Sequence, residues 1–171
     1  APGPGHIVVD GTVGLGGHSR LFGEAIGPDG RLVCFDRDPE ALARAAANLE
    51  GLACRRDFVN LPYECMADAL AGLGIAGVDR IFMDLGVSSL QLDKPERGFS
   101  FMRDGPLDMR MNQTRGITAA EIVNTWPEER LKKLFQTLGE ERFSGRMAKR
   151  IVETRANRSI ETTGELSTLM A

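Results

Sequence analysis

A glycine-rich stretch near the amino terminus holds the residue types best suited to chemistry. Residues 8–19 pass from a short apolar run through Asp10 to a turn that contains Gly14, Gly16 and Gly17. This order predicts a strand, a tight turn and the start of a helix, as at the opening of a Rossmann-type nucleotide unit. Glycine permits a close backbone approach, and the N–H groups of a helix N-terminus stabilise a carboxylate or phosphate. The stretch predicts a nucleotide-type cofactor site, and an ordinary turn between strand and helix is the alternative.

The glycine spacing distinguishes two kinds of cofactor. A dinucleotide fingerprint that began at Gly14 would need glycine where the chain has Ser19. Methyltransferases that use S-adenosylmethionine instead have an acid at the end of the first strand, followed by alternating glycines. The chain fits that second pattern, with Thr12 in place of the first glycine. The spacing therefore favours S-adenosylmethionine over a nicotinamide dinucleotide.

Acidic residues follow three of the predicted strands, at Asp10, Asp36 and Asp84. Ligands of open α/β sheets bind outside the carboxyl ends of the strands, where these carboxylates would converge. Asp36 is placed to accept hydrogen bonds from ribose hydroxyls, because Asp38 is the better candidate to cap the next helix. Asp84 is placed where an amino-methyltransferase holds the substrate amine, and we expect it to accept a hydrogen bond from that amine. Phe58 is expected just beyond the third strand, where an adenine would lie, although a core phenylalanine is the more common case.

The first ninety residues predict an α/β fold with a parallel sheet. The run from Leu32 to Phe35 is apolar without alternation, as in a strand that is buried on both faces. We expect strands at about 6–10, 31–35, 52–56 and 78–85, and helices at about 18–26, 39–49 and 61–73.

Composition and charge exclude several classes of protein. The chain of 171 residues has 42% hydrophobic residues and a net charge of −3, so it is expected to form a globular core rather than to coat RNA. Three widely separated cysteines and two histidines argue against a zinc site and against a disulfide framework, so a reducing cytoplasm is expected. Residues 1–92 carry a net charge of −5 and residues 93–171 one of +2. The second half is therefore where an anionic polymer could bind, and a solvated helical surface is the alternative.

The second half predicts a long irregular segment followed by helices. Residues 91–111 have little periodicity and mix arginines with aromatic residues, which suits either RNA contact or a packed cover over the sheet. Three Thr-x-x-Glu patterns begin at Thr118, Thr125 and Thr162 and predict capped helix starts. A further helix at about 141–154 presents a stripe that we expect to be core, formed by Phe143, Met147 and Ile151.

Several of these motifs together resemble one known family, the ribosomal RNA small-subunit methyltransferase H family, also called MraW. The resemblance runs from about Ile7 to the carboxyl terminus. The motifs are Asp10-Gly-Thr-Val-Gly-Leu-Gly-Gly-His-Ser19, Asp36-Arg-Asp-Pro39, Asp84-Leu-Gly-Val-Ser-Ser89, Gln91-Leu-Asp93 and, most specifically, Glu96-Arg-Gly-Phe-Ser-Phe-Met-Arg-Asp-Gly-Pro-Leu-Asp-Met-Arg-Met111.

The resemblance implies a Rossmann-like methyltransferase sheet over residues 1–104, with a mostly helical inserted subdomain over 105–171 that meets the RNA. It implies S-adenosylmethionine as cofactor and N4 of a cytosine in 16S ribosomal RNA as the target, in an assembled small subunit and in the cytoplasm. The implied site residues are Gly16, Gly17 and His18 at the methionine part, Asp36 at the ribose, Phe58 at the adenine, and Asp84 and Gln91 completing the pocket.

Members of the family extend before the first strand and beyond Ala171, so we expect this chain to be a truncated copy with weak or no turnover by itself. A partner chain, as in a homodimer, or a missing segment would then cover the edge of the fourth strand.

Two rival functions stay open at this point. One is a non-catalytic remnant that binds cofactor or RNA, and the other is an NAD-dependent oxidoreductase. The oxidoreductase is disfavoured by Ser19 and by the lack of a Tyr-x-x-x-Lys pair.

Overall fold

The computed structural model describes residues 1–170, which form two compact units. The first is Ala1–Ser88, and the second begins at Ser89. The predicted boundary between 104 and 105 concerns an insertion in the family's fold, and it stays a prediction. The elements of the first unit are β1 (Ile7–Asp10), α1 (Gly17–Ile26), β2 (Arg31–Phe35), α2 (Pro39–Asn48), β3 (Arg55–Val59), a 3₁₀ turn (Tyr63–Cys65), α3 (Met66–Gly72) and β4 (Arg80–Phe82).

The four strands form one parallel sheet in the order β3-β2-β1-β4. Val9 lies opposite Val33 on one side and Ile81 on the other, so all four carboxyl ends meet at one edge of the sheet. From β1 the chain adds β2 and β3 on one side of the sheet and then β4 on the other, so the strand order reverses at β1. Open α/β sheets bind their ligands beside such a reversal. The predicted α/β class with a Rossmann-like parallel sheet is confirmed.

The sheet is buried on both faces, as the unbroken apolar run of β2 predicted. Leu32 and Cys34 pack with residues of α1 and α2, whereas Val33 and Phe35 pack with residues of α3. All four side chains of that run are fully buried. Burial of apolar surface on both faces stabilises the sheet and fixes where its strand ends lie.

Two predicted strands have different bounds in the structure. The predicted strand at 52–56 is in fact β3 at Arg55–Val59, because Leu52 and Cys54 turn into the core beside α1 and α2 instead of entering the sheet. The predicted strand at 78–85 is in fact β4 at Arg80–Phe82, which pairs only with β1 among the described residues. The third helix begins later than predicted, after the 3₁₀ turn.

β4 is one of the two edge strands of the sheet, and apolar side chains in and after it are exposed. Four large apolar side chains at alternate positions are accessible there: Ile81, Met83, Leu85 and Val87. Among residues 1–170, β4 pairs with β1 and with no second strand.

The second unit is helical. Its elements are α4 (Ser89–Asp93), a 3₁₀ turn (Pro95–Arg97), α5 (Ala119–Thr125), α6 (Glu128–Leu138), α7 (Ser144–Arg155) and α8 (Thr163–Met170). Its core brings together Leu107, Val123, Leu131, Ala148, Ile151 and Ile160.

Two of the three predicted helix caps are confirmed. Thr118 forms a reciprocal capping box with its glutamate, and Thr162 exchanges hydrogen bonds with Glu165. The prediction for Thr125 is wrong, because Pro127 is the N-cap residue of α6 and makes no side-chain cap. Thr125 is instead the last residue of α5.

The predicted core stripe of α7 is also partly wrong. Ile151 is fully buried, but Phe143 is 45% exposed. The helix begins at Ser144, so Phe143 lies at its N-cap, and the buried face is formed by Ser144, Ala148 and Ile151.

None of the helices over residues 1–170 is both long and apolar enough to cross a bilayer.

Candidate functional site

The glycine turn after β1 leads directly into an uncapped helix N-terminus. Gly16 is the N-cap residue of α1 and has φ +88°, a left-handed conformation that favours glycine. No side chain caps α1, so the first N–H groups, from Gly17 and His18, have no partner inside the helix. These groups, together with the helix dipole, can stabilise an anionic group of a ligand.

Two neighbouring glycines of this turn differ in their surroundings. A Cβ at Gly16 would lie 3.1 Å from Leu49, so this glycine allows the turn to pack on the core. A Cβ at Gly17 would have no atom within 4 Å, so the space beside Gly17 is open. Of the two, Gly17 has room for a ligand, and a cofactor contact at either position stays a prediction.

Asp36 joins the end of β2 to the glycine turn. Its Oδ2 accepts a hydrogen bond from the N–H of Gly14 at 2.9 Å, and its Oδ1 accepts one from the N–H of Asp38 at 2.9 Å. Burial raises the pKa of the Asp36 carboxyl above its ordinary value. The side chain is only partly buried, so its remaining lone pairs can accept further hydrogen bonds. As predicted, Asp38 caps α2 by accepting from the N–H of Glu40.

Asp10 is buried under the glycine turn, and no ligand can reach its carboxylate. It is 1% exposed, and its carboxylate accepts hydrogen bonds from Ser19 Oγ at 2.7 Å and from the N–H of Thr12 at 3.1 Å. Burial raises its pKa above the ordinary value for a carboxyl. Asp10 therefore orders the glycine turn, and the acid at the end of the first strand is the sequence signal for this role.

Thr12 connects the glycine turn to Asp84. Its Oγ1 accepts a hydrogen bond from the backbone N–H of Asp84 at 2.8 Å. The residue that departs from the alternating glycine pattern thus positions the segment after β4. The Asp84 carboxylate is exposed and makes no hydrogen bond or ion pair with any other part of residues 1–170. It is available to a substrate donor.

The predicted location of Phe58 is wrong. Phe58 lies inside β3 opposite Cys34, not beyond the strand, and it packs against the core between the sheet and its helices. The carboxyl end of β3 is followed by Asn60, whose Nδ2 donates to the backbone oxygen of Asp36 at 2.9 Å. Sequence reasoning missed Asn60, because the shifted bounds of β3 hid its place at the strand end.

His18 and Gln91 lie in different units. His18, in the first turn of α1, packs against the ring of Phe82 with centroids 4.8 Å apart. Gln91 is buried in α4 of the second unit. Their roles toward a cofactor stay predictions. Among residues 1–170, no three His, Cys, Asp or Glu side chains form a group that could hold a metal ion.

Comparison with known proteins identifies the family. The model of the MraW methylase family matches residues 1–171. The chain belongs to the MraW methylase family. The resemblance drawn from the sequence motifs is confirmed.

Curated relatives of this MraW-family chain are named ribosomal RNA small subunit methyltransferase H. Those from Pseudarthrobacter chlorophenolicus, Geobacter sp. and Syntrophotalea carbinolica are 49%, 48% and 51% identical over 96%, 97% and 99% of the chain. These matches cover 49%, 53% and 54% of the relatives, so the chain spans about half of their length. A solved structure described provisionally as an rRNA-methylase from Clostridium thermocellum is 26% identical, with a TM-score of 0.38 over 39% of this chain and 38% of that chain.

The segment 96–111 of this MraW-family chain, which carries the most specific motif, is organised around Arg97. The Arg97 guanidinium is buried and donates to the backbone oxygens of Arg110 at 3.2 Å and Met111 at 2.7 Å. Gly98 has φ +73°, and a Cβ there would collide with the backbone of Pro106. The motif therefore contains the residues that fix the conformation of this loop.

Proposed function

We propose that this chain serves the S-adenosylmethionine-dependent N4-methylation of a cytosine in small-subunit (16S) ribosomal RNA. The observation that carries the proposal is the convergence of strand ends on one glycine turn. Asp36 bonds to Gly14, and the backbone of Asp84 bonds to Thr12. The methylase family and the names of the relatives support the reaction class.

The residues around the turn fit S-adenosylmethionine. Asp36 would accept hydrogen bonds from the ribose hydroxyls with its remaining lone pairs. The N–H groups at the start of α1, beside the open space at Gly17, would bind the carboxylate of the methionine part. We propose that Gly16, His18 and Gln91 complete this pocket. Phe58, at the adenine end, lies inside β3 and can contribute there only from within the strand. Asn60 follows the end of β3 and is more exposed.

Asp84 would act on the cytosine. Bound S-adenosylmethionine supplies a methyl group on a positively charged sulfur. A cytosine N4 amine is a poor nucleophile, because its lone pair is delocalised into the ring. The Asp84 carboxylate would accept a hydrogen bond from N4–H. This bond would stabilise the positive charge that the nitrogen gains as it bonds to the methyl carbon while the carbon–sulfur bond breaks. One N4 proton is then lost to Asp84 or to water, and methylated amine and the uncharged thioether remain.

The RNA is expected to meet the second unit, since residues 93–171 carry a net charge of +2 and residues 1–92 one of −5. The proposal includes an assembled 30S-type subunit as substrate and the cytoplasm as compartment. It leaves a homodimer as one way to cover the edge of β4.

The proposal is tested by transfer of a tritiated methyl group to small ribosomal subunits, followed by nucleoside analysis of the RNA. The complete gene product is expected to form N4-methylcytidine, and residues 1–171 alone are expected to give weak or no turnover. Asp84→Asn should lower kcat by about 10²-fold or more, with little change in the affinity for S-adenosylmethionine. Asp29→Asn, in an exposed turn of the same unit, is the matched control and should act normally. Methylation at a carbon or at another base would contradict the proposal.

A further inference from the structure

Phe143 in the second unit is an exposed aromatic ring held between two arginines. The guanidinium carbons of Arg142 and Arg146 lie 4.8 Å and 4.6 Å from the centre of the Phe143 ring. The ring is 45% exposed although the buried face of α7 lies one residue away. Core packing does not account for this position, because Ser144, Ala148 and Ile151 already fill that face.

The positive charge around this ring is not neutralised by the protein. Arg150 lies one turn beyond Arg146 on the same side of α7, since positions three to four apart share a helix face. Within residues 1–170, no carboxylate lies within ion-pair distance of Arg142, Arg146 or Arg150. By contrast, neighbouring Lys149 is paired with Glu153.

Glu141 lines the part of the surface groove that lies beside the ring, and its carboxylate is already engaged by the backbone. Glu141 Oε1 accepts a hydrogen bond from the N–H of Phe143 at 2.7 Å. Its charge therefore serves the start of α7, and it pairs with none of the three arginines.

A groove between α7 and α8 runs beside these side chains. One part has a volume of about 400 Å³ and is lined by Phe143, Arg146, Arg150 and apolar residues that include Leu169. A second part of about 280 Å³ shares Arg150 and Leu169 with the first, so the two parts adjoin. The second part is also lined by Arg158 and Glu165, which form an ion pair at 3.3 Å. The unpaired Arg146 and Arg150 therefore lie along the groove, with an aromatic ring at one end.

We infer that this Arg–Phe face, formed by Arg142, Phe143, Arg146 and Arg150, binds single-stranded RNA. An unpaired base stacks on the exposed ring or on a guanidinium plane, and the arginines along the groove bind successive phosphates. An exposed aromatic ring favours single strands, because bases inside a duplex present no free face. The inference rests on the proposed function and names a surface through which that substrate is held.

The test measures the binding of a fluorescein-labelled single-stranded RNA of twelve nucleotides by fluorescence anisotropy, at several salt concentrations, with the complete gene product. Arg146→Gln combined with Arg150→Gln should weaken binding about tenfold and reduce the slope of log affinity against log salt by about 1.4, or about 0.7 per lost phosphate contact. Phe143→Ala should weaken binding about fivefold or more without changing the salt slope, and Phe143→Trp should restore it.

Matched controls separate this surface from general charge and apolar effects. Arg44→Gln removes an exposed arginine of the first unit, and Leu138→Ala removes a side chain of the second unit that is 77% exposed. Both should bind RNA like the unmodified protein.

The inference is overturned if the unmodified protein does not bind the RNA, if the face variants bind like the controls, or if duplex RNA of the same length binds equally well and Phe143→Ala has no effect. It is also overturned if the variants lose binding only to a protein partner or to anionic vesicles. S-adenosylmethionine binding, measured on the same samples by calorimetry, distinguishes the two proposals. Normal cofactor binding and methyl transfer with unaltered RNA affinity in the variants removes this inference alone.

Discussion

Gly14 and Asp36 are joined by a hydrogen bond of 2.9 Å from the glycine N–H to the carboxylate Oδ2. The bond ties the turn after the first strand to the end of the second, although the residues are 22 positions apart. It orients a partly buried carboxylate next to a helix start that no side chain caps. A carboxylate and a set of N–H groups side by side match the hydroxyl and carboxylate ends of an amino-acid nucleoside.

The two neighbouring glycines at the start of α1 should respond differently to a methyl group. Gly17→Ala should leave the free energy of unfolding nearly unchanged, because the added Cβ meets no atom within 4 Å. It should weaken S-adenosylmethionine binding about tenfold or more, since the methyl group fills the open space. Gly16→Ala should lower the free energy of unfolding by about 1–2 kcal/mol, because φ is +88° there.

Chemical denaturation and calorimetric titration of both variants check this contrast. If Gly17→Ala binds S-adenosylmethionine normally, the cofactor does not lie beside Gly17 and the assignment of that space fails.

The hydroxyl of Thr12 should matter more for transfer than for cofactor affinity. Thr12→Val keeps the shape of the side chain but removes the oxygen that accepts the Asp84 N–H at 2.8 Å. The variant should lose about 0.5–1.5 kcal/mol of stability and show a lower kcat, because the segment with Asp84 is no longer held. Thr12→Ser retains the hydroxyl and is the matched control. Equal kcat values for the valine and serine variants would remove the positioning role of Thr12.

The pH dependence of stability should report the buried Asp10. Burial raises the pKa of the Asp10 carboxyl above its ordinary value of 3.8, so the folded state holds this proton more tightly than the unfolded state. The charged carboxylate therefore lowers stability, and this loss develops as the pH rises from about 3.8 through the raised value. Asp10→Asn has no such titration. Its stability relative to the unmodified chain should increase between pH 4 and pH 7, as measured by urea unfolding at each pH.

A relative stability of Asp10→Asn that fell over the same interval would have the opposite meaning. The hydrogen bonds from Ser19 and Thr12 would then outweigh desolvation, and the pKa of Asp10 would be lowered.

An element of this fold could be predicted from the sequence where its signal lies within a short segment of the chain. β2 (Arg31–Phe35) was predictable to the residue, because its apolar run Leu32–Phe35 lies between turn segments and needs burial on both faces. β3 was displaced, since Arg55–Val59 has no strand-like alternation and becomes a strand by pairing with β2 and through the ion pair of Arg31 with Asp57 at 2.7 Å. Those contacts are long-range and leave no local pattern.

The candidate site divides in the same way. Asp36 and the glycine turn were recognisable, because an acid after a strand and clustered glycines are local features. Asn60 and the bond from Asp84 to Thr12 depend on which strands are neighbours, which no single segment encodes. Phe143 was predicted to be core from its spacing in a helix that begins at about 141. It is exposed because α7 begins at Ser144, so Phe143 lies at the N-cap and outside the buried face of the helix.

Calorimetric titration of S-adenosylmethionine and of NAD onto the protein, with Asp36→Asn and the exposed-turn control Asp29→Asn, tests the central claim most directly. The unmodified protein and Asp29→Asn should bind one S-adenosylmethionine per chain and no NAD. Asp36→Asn should bind it about 10- to 100-fold more weakly, because hydrogen bonds to the charged carboxylate are lost. Binding of S-adenosylmethionine that is unaffected by Asp36→Asn, or no binding by the unmodified protein, would contradict a cofactor site built from these strand ends.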